Sequence, residues 1–542
     1  MIWGAGYYGG KQLYVLGREQ VAFFIDSNRD KSGSYYCGKI VKHPDDVSNL
    51  ENYYIYVPFN YYDEIVKILC QKGLVENEDF EKYNSKFSIS YNLLVEDYDR
   101  AIKEIDENIE RLRNKVVFWG WNFSIKNNYR QYFELIKKKN EAFEYVVVGE
   151  NIWMTQEEAE SKNGVATIIS PCVFDQDVFL SDANEHQVLN EDSFLNPVNL
   201  SRAYHKMKYC SSDKSEISIQ TQILFMKKYI DYFVKSTTPQ LIFTVGSSKP
   251  SAALIEDACC KYNIRHIYTH AGILYGTYMF DSRGDLGYVD TNINVKRFCQ
   301  LPVDTSDMVN AQTVIGYLRE KKYNRKVQPK MFNSTLNRIE KNKPTVLFTA
   351  QPEIDFIPYD QKIIENYSPN FKNSVEAGIF LSKICMDNEW NFIYKAHPIS
   401  PSENIESKLS HGSIYIDQAN IFDLIDLADV VVTIQSSTSY DAMIRRKPAV
   451  LLGYNHMRGK KCAYEAYEKE NIEKILKEAI EKGIQDNMSF YFEKHIAQCL
   501  KYYLYDDLTN RELRYGKGIP NGWEEFLALS IQMSDLENNK MY

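Results

Sequence analysis

The sequence lacks several patterns that would place a chain of 542 residues in a specialised class of protein. Its ten cysteines are scattered and form no C-x-x-C pair, which argues against a disulfide framework and against a structural zinc site. No run of about 18 apolar residues is present, so no membrane-spanning helix is predicted. The net charge of -9 supplies no general excess of basic surface, and we therefore expect no nucleic-acid partner.

Two further absences concern targeting and metal binding. The chain shows no basic and apolar leader of the kind that directs secretion, so we expect a cytoplasmic location, with peripheral contact at the inner face of the membrane still open. Histidine and acidic residues do not cluster at the spacing of metal ligands. We predict that the protein requires no metal and no cofactor.

The first segment has the pattern of a small nucleotide-binding fold. Gly4, Gly6 and Gly9 form a G-x-G-x-x-G motif before a predicted helix, and Asp26 follows the next apolar strand. A carboxylate about twenty residues after such glycines is placed to accept hydrogen bonds from a ribose. We predict an α/β domain over residues 1–90 that either binds a nucleotide or is purely structural.

Alternation of apolar strands and amphipathic helices continues along the chain. A charged helical connector is predicted over 91–114, a first α/β lobe over 115–335 and a second over 343–480. The residues from 463 onward have helical spacing throughout, and we expect helices over 481–542 to close the lobes. The fold class is therefore α/β, with two doubly wound lobes preceded by a smaller Rossmann-like domain.

Two polar segments follow predicted strands of the second lobe. Lys395-Ala396-His397-Pro398 follows one strand, and Gln435-Ser436-Ser437-Thr438 follows another. The carboxyl ends of parallel strands share one edge of a sheet, so both segments should face one crevice. A lysine charge, a histidine donor and hydroxyls at a helix start suit a phosphate group. Asp441, in the first helical turn, is either a ribose acceptor or a complement to the helix dipole.

These segments also carry a resemblance to a known family. Together with Phe348-Thr349-Ala350-Gln351-Pro352 and the run Arg446–Gly453, they resemble the bacterial capsule polysaccharide synthesis family. That family has the GT-B architecture of two α/β lobes and includes transferases that use CMP-activated Kdo. One departure is Ser439-Tyr440-Asp441-Ala442, where the family has Gly-x-Glu-Ala. The residues that the resemblance and the strand ends together assign to the nucleotide are Gln351, Lys395, His397, Pro398, Gln435, Ser436, Ser437, Thr438 and Asp441.

Catalytic candidates come from a weaker resemblance in the first lobe. The stretches around Thr269-His270-Ala271-Gly272 and Phe280-Asp281-Ser282-Arg283-Gly284-Asp285 are similar to the acceptor-lobe segment of capsule Kdo transferases. Asp281 and then Asp285 are the candidate carboxylates, and His270 is a candidate base. Glu353 and Asp355 are alternates, and the segment that contains Asp281 could equally be only a turn.

The most favoured function is transfer of a sugar from a nucleotide-sugar, preferably CMP-linked, to a surface polysaccharide or lipid-linked saccharide. Three alternatives stay open. The first is a teichoic-acid-type polyol-phosphate transferase, against which Ile434-Gln435 counts because those enzymes have Asp-Tyr before the serines. The second is a non-hydrolysing UDP-sugar epimerase. The third is a non-catalytic scaffold that binds nucleotide-sugar and organises polysaccharide assembly.

Overall fold

The structure is a computed structural model that describes the greater part of the chain. The described residues are 1–58, 62–83, 87–120, 134, 136–138, 144–150, 156–175, 177–180, 198–210, 214–246, 249–284, 286–323, 329, 338–351, 366–398, 405–507 and 511–518. They divide into two compact units, the first built from 1–127, 144–244 and 250–265, the second from 128–143, 245–249 and 266–542. None of the described helices has the length and apolar character needed to cross a membrane. The domain boundaries expected from the sequence stay predictions.

The first unit opens with a six-stranded sheet whose order is β3-β4-β2-β1-β5-β6. All neighbours in this sheet are parallel except β3 and β4. Helices α1 and α2 complete this α/β arrangement. The bounds are β1 Ile2–Trp3, α1 Tyr7–Leu16, β2 Phe24–Ile25, β3 Tyr35–Tyr36, β4 Lys39–Lys42, β5 Ile55–Pro58, α2 Tyr62–Gln71 and β6 Phe80–Tyr83.

The rest of the first unit is a second α/β arrangement. Four parallel strands lie in the order β10-β9-β8-β12, and β7 pairs with β11 in a separate two-stranded sheet. The bounds are β7 Phe87–Ile89, α3 Tyr91–Glu107, α4 Ile109–Leu112, β8 Val116–Trp119, β9 Tyr145–Gly149, α5 Gln156–Asn163, β10 Thr167–Ile169, β11 Val178–Leu180, α6 Val198–Cys210, α7 Glu216–Thr237, β12 Leu241–Val245 and α8 Pro250–Lys261.

The second unit begins with an antiparallel group of three strands and then forms a parallel sheet. In the antiparallel group β14 lies between β13 and β21, and the parallel sheet has the order β17-β16-β15-β18-β19-β20. The bounds are β13 Arg265–Ala271, β14 Thr277–Asp281, α9 Asp290–Ile293, α10 Val295–Gln300, α11 Thr305–Lys321, β15 Thr345–Thr349, α12 Ser374–Asp387, β16 Asn391–Lys395, β17 Ile414–Ile416, α13 Ile421–Leu427, β18 Val430–Thr433, α14 Thr438–Ile444, β19 Ala449–Leu451, β20 Tyr464–Glu465, α15 Ile472–Lys482, α16 Asp486–Tyr502 and β21 Leu504–Asp506.

The order of the parallel sheet in the second unit is the doubly wound one, in which chain order runs outward from the first strand in both directions. β15 is that first strand, and it pairs in parallel with β16 on one side and β18 on the other. The strands are apolar and fully buried, as expected for a sheet covered on both faces. The predicted α/β fold with parallel, doubly wound sheets is confirmed.

One part of the sequence prediction is wrong. The chain after residue 463 was expected to be helical throughout, but it contains β20 and β21. β20 extends the parallel sheet beside β19, and β21 pairs with β14, where Tyr505 lies in register with Tyr278, far earlier in the chain. Because the hydrogen-bond partners of β21 are so distant in sequence, local periodicity carries no sign of them.

Candidate functional site

The candidate site lies at the carboxyl edge of the parallel sheet in the second unit. Thr349, the last residue of β15, is in register with Lys395 of β16 and with Thr433 of β18. β16 and β18 lie on opposite sides of β15, so the direction in which strands are added to the sheet reverses at β15. This reversal is the topological switch point of a doubly wound sheet. Crevices at such points are the usual ligand sites of open α/β sheets.

A cavity of about 310 Å³ opens at this edge. Its volume is at the lower end of the range for small-molecule sites. One part of its lining is polar and the other is apolar or aromatic. The residues are Ile273, Tyr275, Tyr323, Thr349, Ala350, Lys395, Ala396, His397, Pro398, Ile421, Phe422, Ser436, Ser437, Thr438 and Asp441.

The hydroxyl run after β18 forms the most compact polar group in the lining. The Ser436 amide donates to Thr433 Oγ1 at 3.1 Å, and the Thr438 amide donates to Ser436 Oγ at 3.2 Å. The hydroxyls of Ser436 and Thr438 lie 2.8 Å apart, so one donates to the other. Helix α14 begins at Thr438 and has only seven residues. The hydroxyls and the cations nearby therefore matter more for anion binding here than the helix dipole.

Lys395 provides the cation nearest to the end of β16. Its ammonium donates to the backbone carbonyls of Ala396 at 2.7 Å and Asp417 at 2.9 Å, which secures the loop after the strand. Burial lowers the pKa of Lys395 to about 8, against an opposing effect of the Asp417 carboxylate. An ammonium has three N–H donors, so these two bonds leave one donor for a ligand. His397 and Pro398, on the same loop, also line the cavity.

Thr349 adds a buried hydroxyl to the same wall. Thr349 is only 4% exposed, and its Oγ1 has no hydrogen-bond partner within the described residues. A buried hydroxyl without a partner costs free energy unless a ligand or water satisfies it. The Thr349 hydroxyl is therefore available to a polar ligand or to a water molecule in the cavity.

Two glutamines that the sequence assigned to the nucleotide are used differently. The backbone amide of Gln435 donates to Gln351 Oε1 at 3.1 Å, and the Gln435 side chain donates to the carbonyls of Asn366 at 2.6 Å and Tyr454 at 2.9 Å. Neither glutamine lines the cavity. Their contacts favour a supporting role, in which they hold together the loops that carry the hydroxyls.

Asp281, the first catalytic candidate, is buried away from the cavity lining. Its carboxylate accepts from the amides of Arg283, Gly284 and Asp290 and from the Tyr503 hydroxyl. Burial raises the pKa of Asp281 to about 6, while the hydrogen bond from Tyr503 acts to lower it. With four donors directed at it, this carboxylate organises a turn. Its contacts favour that structural role over the predicted catalytic one, which stays a prediction.

His270 is half-buried on β13 and does not line the cavity, although Ile273 and Tyr275, just after its strand, do. A second histidine, His456, lies near enough for the two to interact electrostatically. Burial, together with His270 and Lys460, holds the pKa of His456 well below its ordinary value. Nothing in the sequence singles out His456, because a lone histidine in a loop belongs to no recognisable motif. The candidates Asp285, Glu353 and Asp355 lie outside the described residues.

The aromatic part of the lining was also missed. Tyr275 and Tyr323 lie with their rings stacked, and Phe422 lines the same cavity. A chain with 41 tyrosines gives no local reason to select these two. Asp441 also lines the cavity and places a carboxylate beside the hydroxyls, and its contact with the nucleotide stays a prediction.

The glycine motif of the first unit forms a tight turn, as its pattern predicts. Gly4 has φ +98°, and a side chain on Gly9 would place a Cβ 1.9 Å from the Gly4 carbonyl oxygen. Asp26 accepts from the amide of Ala5 at 3.0 Å and forms an ion pair with Lys31 at 2.7 Å. The carboxylate expected to bind a ribose is thus held by protein groups, and nucleotide binding at Gly4, Gly6, Gly9 and Asp26 stays a prediction.

A lysine on the helix after this turn joins two parts of the first unit. The Lys11 ammonium, which is 1% exposed, lies 2.6 Å from Asp175 and 2.7 Å from Asp177. The two aspartates have the spacing of a D-x-D motif, which in other proteins can bind a metal, so the expectation that acidic residues do not occur at the spacing of metal ligands is wrong for this segment. In this structure, both carboxylates form ion pairs with the Lys11 ammonium.

Several solved structures are similar to this chain. No family model matches the chain, and no curated protein matches it. Among matching structures, KpsC beta Kdo 2,7 transferase from Thermosulfurimonas dismutans has 16% identity, covers 56% of this chain and 89% of its own, and has a TM-score of 0.37. KpsC beta Kdo 2,4 transferase from the same organism has 12% identity, 49% and 80% coverage and a TM-score of 0.35.

A UDP-N-acetylglucosamine 2-epimerase described as putative, from Listeria monocytogenes, also matches, with 11% identity, coverage of 79% of this chain and 97% of that chain, and a TM-score of 0.30. The two KpsC proteins are named as Kdo transferases. Matches at these identities and TM-scores carry no conclusion about the substrate of this chain.

Proposed function

We propose that this chain is a glycosyltransferase that binds the nucleotide of a sugar donor in the cavity at the carboxyl edge of its parallel sheet. The observation that carries the proposal is the polar wall at the switch point, where Lys395, His397 and the hydroxyls of Ser436–Thr438 line one cavity with the unsatisfied Thr349 hydroxyl. A cation and several hydroxyl donors suit the phosphate of a nucleotide.

The carboxylate of Asp441 supports a nucleotide-sugar over a simple anion. A carboxylate beside an anion repels it, so its presence in the lining is unfavourable for free phosphate. A ligand that also carries hydroxyl groups offsets this cost, because a carboxylate accepts hydrogen bonds from hydroxyls. Ribose and sugar hydroxyls meet this requirement, and Gln351 and Gln435 keep the neighbouring loops in place.

The donor in this proposal is CMP-linked, following the resemblance to capsule Kdo transferases. The acceptor is a surface polysaccharide or a lipid-linked saccharide, reached by peripheral contact with the inner membrane face. His270 is the proposed base that takes the acceptor proton, with Asp285 as the alternative. The cationic lysine and the hydroxyls stabilise the leaving phosphate, so no metal is required, and turnover should persist in a chelator.

The test combines binding with turnover. Calorimetry with CMP, UMP and CDP should give a clear preference for CMP, and CMP-sugars should be hydrolysed slowly in the absence of acceptor. His397→Ala and Ser436→Ala should weaken CMP binding, whereas His411→Ala, at an exposed histidine outside the cavity, should not. Binding of CMP without any turnover would favour the scaffold alternative. Polyol-phosphate transfer from a CDP-linked donor would favour the teichoic-acid-type alternative.

A further inference from the structure

The wall of the cavity that carries no charge is built around two stacked tyrosines. The ring centroids of Tyr275 and Tyr323 lie 4.8 Å apart with an interplanar angle of 8°, and both residues line the cavity with Ile273 and Phe422. The Tyr323 hydroxyl lies 3.0 Å from that of Tyr317, so one of the two donates to the other. We refer to Tyr275, Tyr323 and Phe422 as the aromatic wall.

The position of Tyr275 is set by residues near the other end of the unit. Arg511 donates to the Gly276 carbonyl at 2.8 Å, and the Tyr515 hydroxyl donates to the Tyr275 carbonyl. Asp506 in turn holds Arg511 through an ion pair at 2.8 Å. The backbone that carries the Tyr275 ring is therefore held in place before any ligand arrives, which reduces the entropy that binding must overcome.

The two walls of the cavity suit different chemical groups of a ligand. Lys395 and the Ser436–Thr438 hydroxyls suit a phosphate, while flat aromatic faces suit a planar apolar group. A nucleoside monophosphate has both parts, joined by a ribose that can reach Asp441.

We propose that the aromatic wall stacks against the base of the donor nucleotide, while the polar wall binds its phosphate. This inference rests on the proposed function, because it assumes that the cavity holds a nucleotide. Stacking of a base on an aromatic side chain changes affinity by about 5- to 150-fold. The same wall could instead stack on an acceptor saccharide, and the experiment separates the two.

The experiment compares CMP with ribose 5-phosphate, which keeps the phosphate and the ribose but lacks the base. Equilibrium dialysis with labelled CMP, displaced by ribose 5-phosphate or AMP, gives the affinity ratio for each protein. The unmodified chain should prefer CMP over both competitors. Tyr275→Leu and Tyr323→Leu should reduce the preference for CMP over ribose 5-phosphate by about fivefold or more. Tyr275→Phe and Tyr323→Phe should retain it, because the ring is kept.

Two controls make the outcomes distinct. Tyr35→Leu changes a tyrosine that is 70% exposed in the first unit and should leave both affinities unchanged. Ser436→Ala should weaken CMP and ribose 5-phosphate together, because it removes a phosphate contact. If both Leu variants keep the full preference for CMP over ribose 5-phosphate, the inference is overturned while the proposed function stands. If AMP binds as well as CMP, the preference for CMP in the proposed function is overturned instead. If the unmodified chain does not bind CMP, both the inference and the proposed function are overturned.

Discussion

The pKa of Lys395 leads to a prediction about how the affinity for a nucleotide depends on pH. Burial lowers this pKa to about 8, so the free protein begins to lose the charge just above neutral pH. A bound phosphate favours the charged ammonium and raises its pKa again. Binding above pH 8 must therefore take up a proton, and the affinity must fall as the pH rises.

The size of this effect follows from the fraction of protonated lysine in the free protein. With a pKa of about 8, that fraction is about nine tenths at pH 7, one half at pH 8 and one tenth at pH 9, so the Kd of CMP should increase by about tenfold between pH 7 and pH 9. The phosphate of CMP is already mostly a dianion over this range, so its own titration should contribute little.

Calorimetry in two buffers of different ionisation enthalpy measures both the Kd and the proton uptake. We expect uptake of about half a proton per CMP at pH 8. Lys395→Met should bind CMP more weakly and without this pH dependence, whereas Lys383→Met, at an exposed lysine of α12, should behave as the unmodified chain. A Kd that stays constant from pH 7 to pH 9, or an equal slope in Lys395→Met, would refute the assignment of Lys395 to the phosphate.

Three further predictions concern groups that hold the fold around the site. Burial raises the pKa of Asp281 to about 6, so ionising this carboxyl costs the native state about 3 kcal/mol. The free energy of unfolding, measured with urea, should therefore fall from pH 4 to pH 7 more steeply in the unmodified chain than in Asp281→Asn. Parallel curves for the two proteins would contradict this. Gly287→Ala would place a Cβ 1.8 Å from a backbone oxygen and should lower stability by about 1–3 kcal/mol, whereas Gly316→Ala, with open space around it, should not lower it in a thermal melt. Lys11→Met leaves buried aspartate without its ion pair and should cost about 3–5 kcal/mol, while Arg29→Met, in an exposed ion pair, should cost at most about 1 kcal/mol in the same melt.

The polar wall could be predicted from the sequence because its placement follows from local rules. Buried strands end before Ala396 and before Ile434, and parallel strands bring their carboxyl ends to one edge. Lys395, His397 and the Ser436–Thr438 hydroxyls accordingly line one cavity. The sheet order itself did not have to be known, since any doubly wound order directs these ends to the same edge.

The roles of individual side chains could not be predicted in the same way. Gln435 is next to the serines in sequence, but its amide turns inward to two backbone carbonyls of distant loops. Asp281 has the residue type of a catalytic acid, yet four donors surround it, and one of them, Tyr503, lies 222 residues later in the chain. Whether a polar side chain faces solvent or a neighbouring loop is decided by such distant contacts, which leave no trace in a local pattern.

The aromatic wall could not be predicted from the sequence either, because contacts between residues distant in sequence decide its position. Tyr275 is held through its carbonyl by Tyr515, and the next residue by Arg511, at separations of 240 and 235 residues. The apolar lining thus combines Phe422, which follows a strand of the parallel sheet, with tyrosines from other parts of the chain. Arg511 and Tyr515 hold the backbone at Tyr275, although they do not line the cavity themselves. Substitutions at Arg511 should weaken binding of the base through the displacement of Tyr275, with the phosphate contacts left in place.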